Sequence, residues 1–406
     1  MISKRCINAI ENANEPIAFV LGSYLTSGLG IVRNLGKTGI TTVVFASDKN
    51  QLSFYSKYAT GIICPHPKNN EMEYVNFLLE VGERLNEKGV LLPISDTDTI
   101  AILKNREKLK KYYRFTSAKW DVVKEIVNKN NFYNLLEKKD LPHPKTYFPS
   151  SSNDIKTISK EITYPCILKP VYSSYFVLDF HTKLFLARTK EELIRHYEKA
   201  ISKNHEVNIQ EIIPGDAHVQ YGLNAYYNRK FNPTGVFMYR RIREWPHNFG
   251  NGCFIESVWQ QELEEIITPL MKEIKYYGIV DAEFRKDPRD DLFKIIEINP
   301  RTWMQNSLSS RCGINIPYLA YKDAIRKPLE KTNPINKNVK WLYMLDDLKS
   351  SMKNIRKGKL SLQEWINSFK GEKEYAVFAC NDPIPFFVLC AKSTFFPFKY
   401  LLKRSQ

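Results

Sequence analysis

Glu297, Asn299 and Arg301 recur at every second position of the run Glu297-Ile298-Asn299-Pro300-Arg301. Side chains two apart on a strand share a face. Glu297 and Asn299 therefore point the same way, with Phe293 and Ile295 behind them. The strand before them, starting at Gly278, puts Asp281, Glu283 and Arg285 on one face. If the two strands pair across the polar stretch Lys286–Asp291, Glu283 lies opposite Glu297. Two carboxylates and an amide oxygen then form a hard oxygen cage for a cation. Magnesium, which keeps substrate phosphates among its ligands, suits such a cage. An ordinary solvated hairpin is the competing reading for any one of these carboxylates. Their shared face, followed at once by an arginine suited to phosphate, argues against it.

Three upstream stretches could hold a nucleotide for that cation. In YPCILKP (164–170) Ile167 and Lys169 share a strand face, so a lysine is aimed where an apolar side chain would otherwise go. It needs an anion, and the phosphates of ATP supply one. In VNIQEIIPGD (207–216) a strand stops at Pro214–Gly215, leaving main-chain groups that can read the edge of a base. NKNNFYNLLEKKDLPHPKTYF (128–148) is a helix running into a proline-punctuated extended segment, with Lys129 at its start. In MYRRIREWPHNFGNG (238–252) the arginines near a glycine-containing turn are badly placed for a core. Arg240 or Arg241 is the candidate contact for a carboxylate or phosphate, and alternation alone does not choose between them. Leu263, Ile266, Ile267, Leu270, Met271 and Ile274 form one helical stripe that would back the hairpin.

Taken in this order, the elements resemble the ATP-grasp superfamily, carboxylate–amine ligase type, including its D-aspartate-ligase-like members. The likeness covers about residues 15–330. It implies an α/β (α+β) ATP-grasp fold with an N-terminal doubly wound domain over 1–117. The ATP-grasp domain would span 118–330, divided into a small lid at about 140–213 and a catalytic part at about 214–330. A C-terminal extension over 331–406 would pack on the core. By resemblance, Glu283, Glu297 and Asn299 hold one or two Mg²⁺ ions, with Mn²⁺ as a substitute, and Arg301 contacts the transferred phosphoryl group. Lys129 and Lys169 contact ATP phosphates. Gln210, Glu211, Ile212 and Ile213 form the hinge at the adenine, with the backbones of Glu211 and Ile213 facing it, and Asp216 takes ribose hydroxyls. The implied reaction activates a carboxylate as an acylphosphate and joins it to an amine, releasing ADP and phosphate. A non-catalytic ATP-binding regulator and a carboxylase acting through carboxyphosphate are the alternatives. Two departures stand out. Asn128 replaces the family's usual Asp, and the segment after Lys169, VYSSYFVLDF, has no glycine where the family commonly has a small-residue loop over ATP.

The rest of the chain must position these groups. IAFVL (17–21) and TTVVFAS (41–47) flank a segment with Leu29, Val32 and Leu35 at helical spacing, a βαβ unit that opens a small doubly wound domain. Its glycines Gly22, Gly28 and Gly30 do not match the dinucleotide fingerprint, and no P-loop follows. A length of 406 residues is enough for two or three domains, and 43% hydrophobic with 26% charged residues is an ordinary globular balance. The net charge of +16 is scattered rather than gathered into one arm, which reads as a basic surface around an anionic substrate and not as a nucleic-acid footprint. Seven cysteines without C-x-x-C spacing give neither a zinc site nor a disulfide framework, so buried thiols in a reducing cytoplasm are expected. Glu11 and Glu15 interrupt any signal sequence, and no apolar run is long enough to span a bilayer. The terminal FFVLCAKSTFFPFKYLLKR is apolar and basic, which leaves peripheral membrane contact open, although packing on the core is the expected use. The partners implied are a small-molecule carboxylate and an amine, and dimerisation is common in the family.

Overall fold

Apolar runs that alternate with amphipathic helices must stack as a helix-covered parallel sheet, and the N-terminal region does so. The computed structural model describes residues 10, 13, 15–22, 26–171, 173–330, 332 and 338–402. Strands β1 (Ala18–Leu21), β2 (Thr42–Ala46), β3 (Ala59–Ile63), β4 (Gly89–Pro93) and β5 (Tyr113–Phe115) form a parallel sheet in the order β3-β2-β1-β4-β5. The chain leaves β1 toward β2 on one side and returns through β4 on the other, so a crevice opens beyond their carboxyl ends. Gly22 ends β1 with φ +79°, and a Cβ there would lie 2.6 Å from Asp98 Oδ2. Only glycine suits both the backbone and the space.

A second sheet, in the order β6-β9-β7-β8, comprises β6 (Thr146–Tyr147), β7 (Cys166–Pro170), β8 (Phe185–Ala187) and β9 (Val207–Glu211), all antiparallel neighbours. Its core of Ile155, Leu168, Phe176, Leu193 and Ile209 is separate from the two larger ones. The segment after Lys169 departs from the loop that the resemblance implies: Ser173–Phe180 is helical. Phe176 is fully buried against Phe180, Phe185 and His205, which explains a sequence with aromatics in place of glycine. Tyr172 lies outside the described residues.

The third sheet contains β10 (Gln220–Tyr227), β11 (Pro233–Trp245), β12 (Asn251–Ser257), β13 (Gly278–Lys286), β14 (Phe293–Asn299), β15 (Lys340–Leu342) and β16 (Lys373–Tyr375). Its order is β14-β13-β10-β11-β12-β15-β16. The Gln261–Glu273 helix buries Leu263, Ile267, Leu270 and Met271 in the same core as Phe284, Phe293 and Ile295 of the hairpin.

The tail contributes Trp341, Tyr343, Ala376 and Val377 to the core, and it also builds structure. Two of its strands, β15 and β16, extend the large sheet, and its Met344–Arg356 helix lies against β11 and β12. Further on, Asp382 accepts from Arg33 Nε (2.9 Å), Ser56 Oγ (2.8 Å) and the Lys57 amide (3.0 Å), tying the tail to segments that flank the parallel sheet. Buried thiols hold for Cys64, Cys166, Cys253 and Cys312, but Cys380 and Cys390 are exposed, and Cys6 lies outside the described residues. No helix among the described residues is long and apolar enough to cross a membrane.

Candidate active site

β13 and β14 pair antiparallel with Glu283 opposite Glu297 and Asp281 opposite Asn299. Period-2 alternation therefore aims these four side chains from one face of the sheet. The turn that closes the hairpin is fixed by Asp287, which is fully buried and holds Arg289 and Lys294. These cations keep its carboxyl far below the usual range, with Arg289 the strongest contributor.

Opposing cations come from three other places. Lys129 is the first residue of the Lys129–Lys138 helix, and its Nζ lies 3.9 Å from Glu297 Oε1. The replacement of Asp by Asn128 is explained by capping: its side-chain oxygen accepts from the Asn130 and Asn131 amides at 3.0 and 3.1 Å. Lys169, on β7 of the small sheet, donates to Gln210 Oε1 at 2.7 Å. Gln210 Nε2 in turn donates to Thr146 Oγ1 at 2.8 Å. The Gln210 side chain thus aims the lysine. Burial, with repulsion from Lys129, pushes the Lys169 ammonium down to about 8. Burial alone would raise the Glu297 carboxyl, but Lys129, Lys169 and Arg301 outweigh it and hold the group below its ordinary value.

Arg301 is the third cation. Its Nε donates to Asp96 Oδ1 at 2.6 Å and its Nη2 to Asn299 Oδ1 at 3.2 Å. Asp96 opens the helix that follows β4, so the parallel sheet reaches the site through it. Sequence reading missed Asp96, although an acid just beyond the carboxyl end of a parallel strand is a usable signal. Asp281 was also left without a role. It is buried, accepts from Asn224 Nδ2 (2.7 Å) and Asn299 Nδ2 (3.3 Å), and burial plus the Glu283 charge lifts its carboxyl to about 7. Asp281 fixes which way the Asn299 amide faces: nitrogen inward, oxygen toward Arg301.

The two candidate arginines separate. Arg241 is buried and donates to Glu283 Oε2 at 2.9 Å, to Glu244 Oε2 at 3.3 Å and to the Gly250 carbonyl at 3.0 Å. Gln220 Nε2 reaches the same Glu283 oxygen at 2.9 Å. Arg240, one residue earlier, turns to the other face and pairs with Glu256 on β12 at 2.5 Å. Its place among the catalytic candidates is therefore corrected. Tyr239 shares the Arg241 face and lies over Gly222, where an added Cβ would come within 2.2 Å of the ring.

The hinge residues are divided too. The Glu211 amide donates to the Lys145 carbonyl at 3.0 Å, and its carboxylate takes the Lys145 amide and Arg289, both at 2.9 Å. That N–H serves the sheet edge and not a base. Ile213 is buried and Ile212 half-buried beside it. Asp216 is exposed, and its Oδ1 caps the next turn by accepting from the His218 amide at 2.8 Å.

A cleft lined by Asp96, Lys129, Phe132, Glu297 and Asn299 runs between these groups. Among the described residues no three His, Cys, Asp or Glu side chains make a metal site by themselves. Two carboxylates and an amide, faced by lysines that demand phosphate, fit a magnesium ion that arrives with a nucleotide. The geometry suits binding of a polyphosphate and stabilisation of charge during transfer of its terminal group.

No protein-family model matches the chain. It is 26% identical to a D-aspartate ligase of Enterococcus faecium (strain Aus0004) over 343 residues, 80% of each chain. Its fold matches that of biotin carboxylase from Campylobacter jejuni, solved with βγ-ATP (TM-score 0.61, 17% identity, 78% of this chain and 72% of that one). It also matches an L-amino acid ligase from Bacillus licheniformis (TM-score 0.59, 15% identity, 78% and 75%).

Proposed function

We infer that this chain, an ATP-grasp protein by fold, is an ATP- and Mg²⁺-dependent carboxylate–amine ligase. The observation that carries the reading is the meeting of Lys169 from the small sheet, Lys129 from a helix, and Glu283, Glu297, Asn299 and Arg301 from the large sheet. The two lysines hold the ATP phosphates. Glu297, Glu283 and Asn299 would hold the ion, and Mn²⁺ would stand in for it. When bound, the ion supplies charge neutralisation at the phosphates.

The chain's own residues do the rest. Asp281 keeps the Asn299 oxygen turned outward, Gln210 steadies Lys169, and Arg301, braced by Asp96, faces the group in transfer. Arg241 holds Glu283 in place. A carboxylate oxygen of the substrate attacks the γ-phosphorus, the bond to the ADP oxygen breaks, and an acylphosphate forms. The amine then attacks the acyl carbon, phosphate leaves with the bonding pair, and the amine gives up a proton. Positioning and fixed charge make up the catalysis. The arginines favour an anionic acceptor, and the similarity to a D-aspartate ligase makes an acidic amino acid such as D-aspartate the first carboxylate to try.

A coupled assay for ADP over a panel of amino acids and amines tests this. ADP release that needs Mg²⁺, a carboxylate and an amine together is expected. Release driven by bicarbonate alone would replace the ligase with a carboxylase, and nucleotide binding without release under any pairing would make it a regulator.

A further inference from the structure

The Met344–Arg356 helix is inside out. Its buried face carries Asp347, Ser350 and Ser351, all fully enclosed, while Met344, Leu348 and Met352 are 46%, 40% and 45% exposed. An amphipathic helix in water normally does the reverse. The polar face is held down by Arg243, whose Nε donates to Asp347 Oδ1 at 2.6 Å, and by Trp365 Nε1, which donates to Asp347 Oδ2 at 3.0 Å. That tryptophan belongs to the Leu362–Ser368 helix, which exposes Leu362 (58%) and Ile366 (57%) one turn apart. More than half of the exposed large apolar side chains among the described residues fall between Met344 and Phe387. Of these, Met344, Leu348 and Met352 share one helix face, and apolar side chains gathered on one exposed face mark an interaction surface.

Charge identifies what covers it. Met344, Leu348, Met352 and Arg356 follow each other at four-residue spacing, and Lys349 and Lys353 flank them about a third of a turn away. From Leu348 to Gln363 the sequence has five cations, Lys349, Lys353, Arg356, Lys357 and Lys359, and no acid. Two acids flank that stretch on the exposed side: Asp346, half-buried, pairs with Lys349 at 3.0 Å, and Glu364 is turned back onto the Ser361 amide and hydroxyl, both at 2.8 Å. A second copy docked on the same face would bring two such cationic segments together, and like charges oppose that contact. An apolar stripe beside a row of Lys and Arg matches the boundary between acyl chains and anionic headgroups.

We propose that the C-terminal extension seats this protein on the surface of an anionic phospholipid bilayer, with Met344, Leu348 and Met352 inserted and Lys353 and Arg356 at the headgroups. Sedimentation of the full-length protein with vesicles tests it. Binding is expected to vesicles of phosphatidylglycerol and phosphatidylcholine, to weaken with salt, and to be at least about tenfold weaker on pure phosphatidylcholine. M344Q/L348Q/M352Q keeps good helix formers and should lose about tenfold or more of the affinity. K353Q/R356Q should lose about 25-fold, roughly fivefold per cation, on anionic vesicles only. Both variants should melt with the wild type. Equal binding to neutral vesicles, or no binding to either kind, would overturn the proposal. So would a dimer in light scattering that M344Q/L348Q/M352Q dissociates, which would give the stripe to a second copy. None of these readouts depends on ligase activity.

Discussion

Arg241 and Arg243 leave one strand two residues apart and are equally buried, yet they end in different parts of the molecule. Regular alternation would put both on one face. Shifts of register on either side of Arg243 re-aim it, as bulges do. Arg241 stays with the site and holds Glu283, whose carboxylate is half-buried beside the cleft. Arg243 turns away to Asp347, which is fully enclosed and also bonded by Trp365. The same chemical pair therefore does two jobs. A partner with an oxygen to spare can take up an ion, whereas an enclosed and satisfied partner serves only to dock one element on another.

Substitutions on the two sides should separate those jobs. Arg243→Ala leaves a buried, unmatched Asp347 and should cost about 3–5 kcal/mol of stability in a denaturant titration. The folded fraction should turn over nearly as the wild type does. A turnover loss without a stability loss would reverse the assignment. Glu297→Ala works in the opposite sense. The residue is half-buried on a sheet that keeps its core without it, so melting should be unchanged while the barrier to ADP release rises by about 3 kcal/mol, slowing it a hundredfold or more. Unchanged turnover in that variant would end the metal assignment.

Asp281→Asn sharpens the comparison from inside the site. An amide there can no longer dictate which end of Asn299 faces outward, so the apparent Mg²⁺ affinity should drop about 10- to 100-fold at saturating ATP. Equal Mg²⁺ dependence in wild type and variant would remove its positioning role. The smallest effect is on pH. Lys169 must be charged to hold phosphate, and its ammonium titrates at about 8, so binding is intact below that pH and weakens above it. ATP affinity at fixed free Mg²⁺ should fall about tenfold per unit as pH rises past 8. Lys169→Arg should flatten the profile, and a profile identical to the wild type's would contradict this source.

What the sequence made legible is what obeys a short period. The hairpin register followed from alternation about a polar turn, and the Gln261–Glu273 stripe from the helical repeat. Arg240 and Arg241 stayed undecided because they are adjacent on a strand whose neighbours are known only from its pairing. Asp96 carried a signal of its own, an acid just beyond a parallel strand, but its partner Arg301 lies 205 residues later on another sheet, so nothing in the sequence joined the two. At Glu211 the sequence did not show that the amide is taken by the Lys145 carbonyl across a sheet edge, a contact no local pattern announces, which leaves only its carbonyl for a base. The tail resisted for the opposite reason. Its Met344–Arg356 helix separates apolar from polar side chains, but the fold buries the polar side, because Arg243 offers an ion pair there.

The central claim is that Glu283, Glu297 and Asn299 chelate a divalent ion that comes in with the nucleotide. Electron paramagnetic resonance of Mn²⁺ titrated into the protein with a non-hydrolysable ATP analogue measures this without any knowledge of the substrates. The wild type should bind Mn²⁺ only together with the analogue, and Glu297→Gln should weaken that binding about tenfold or more. Equal Mn²⁺ affinity in the two proteins would contradict the account.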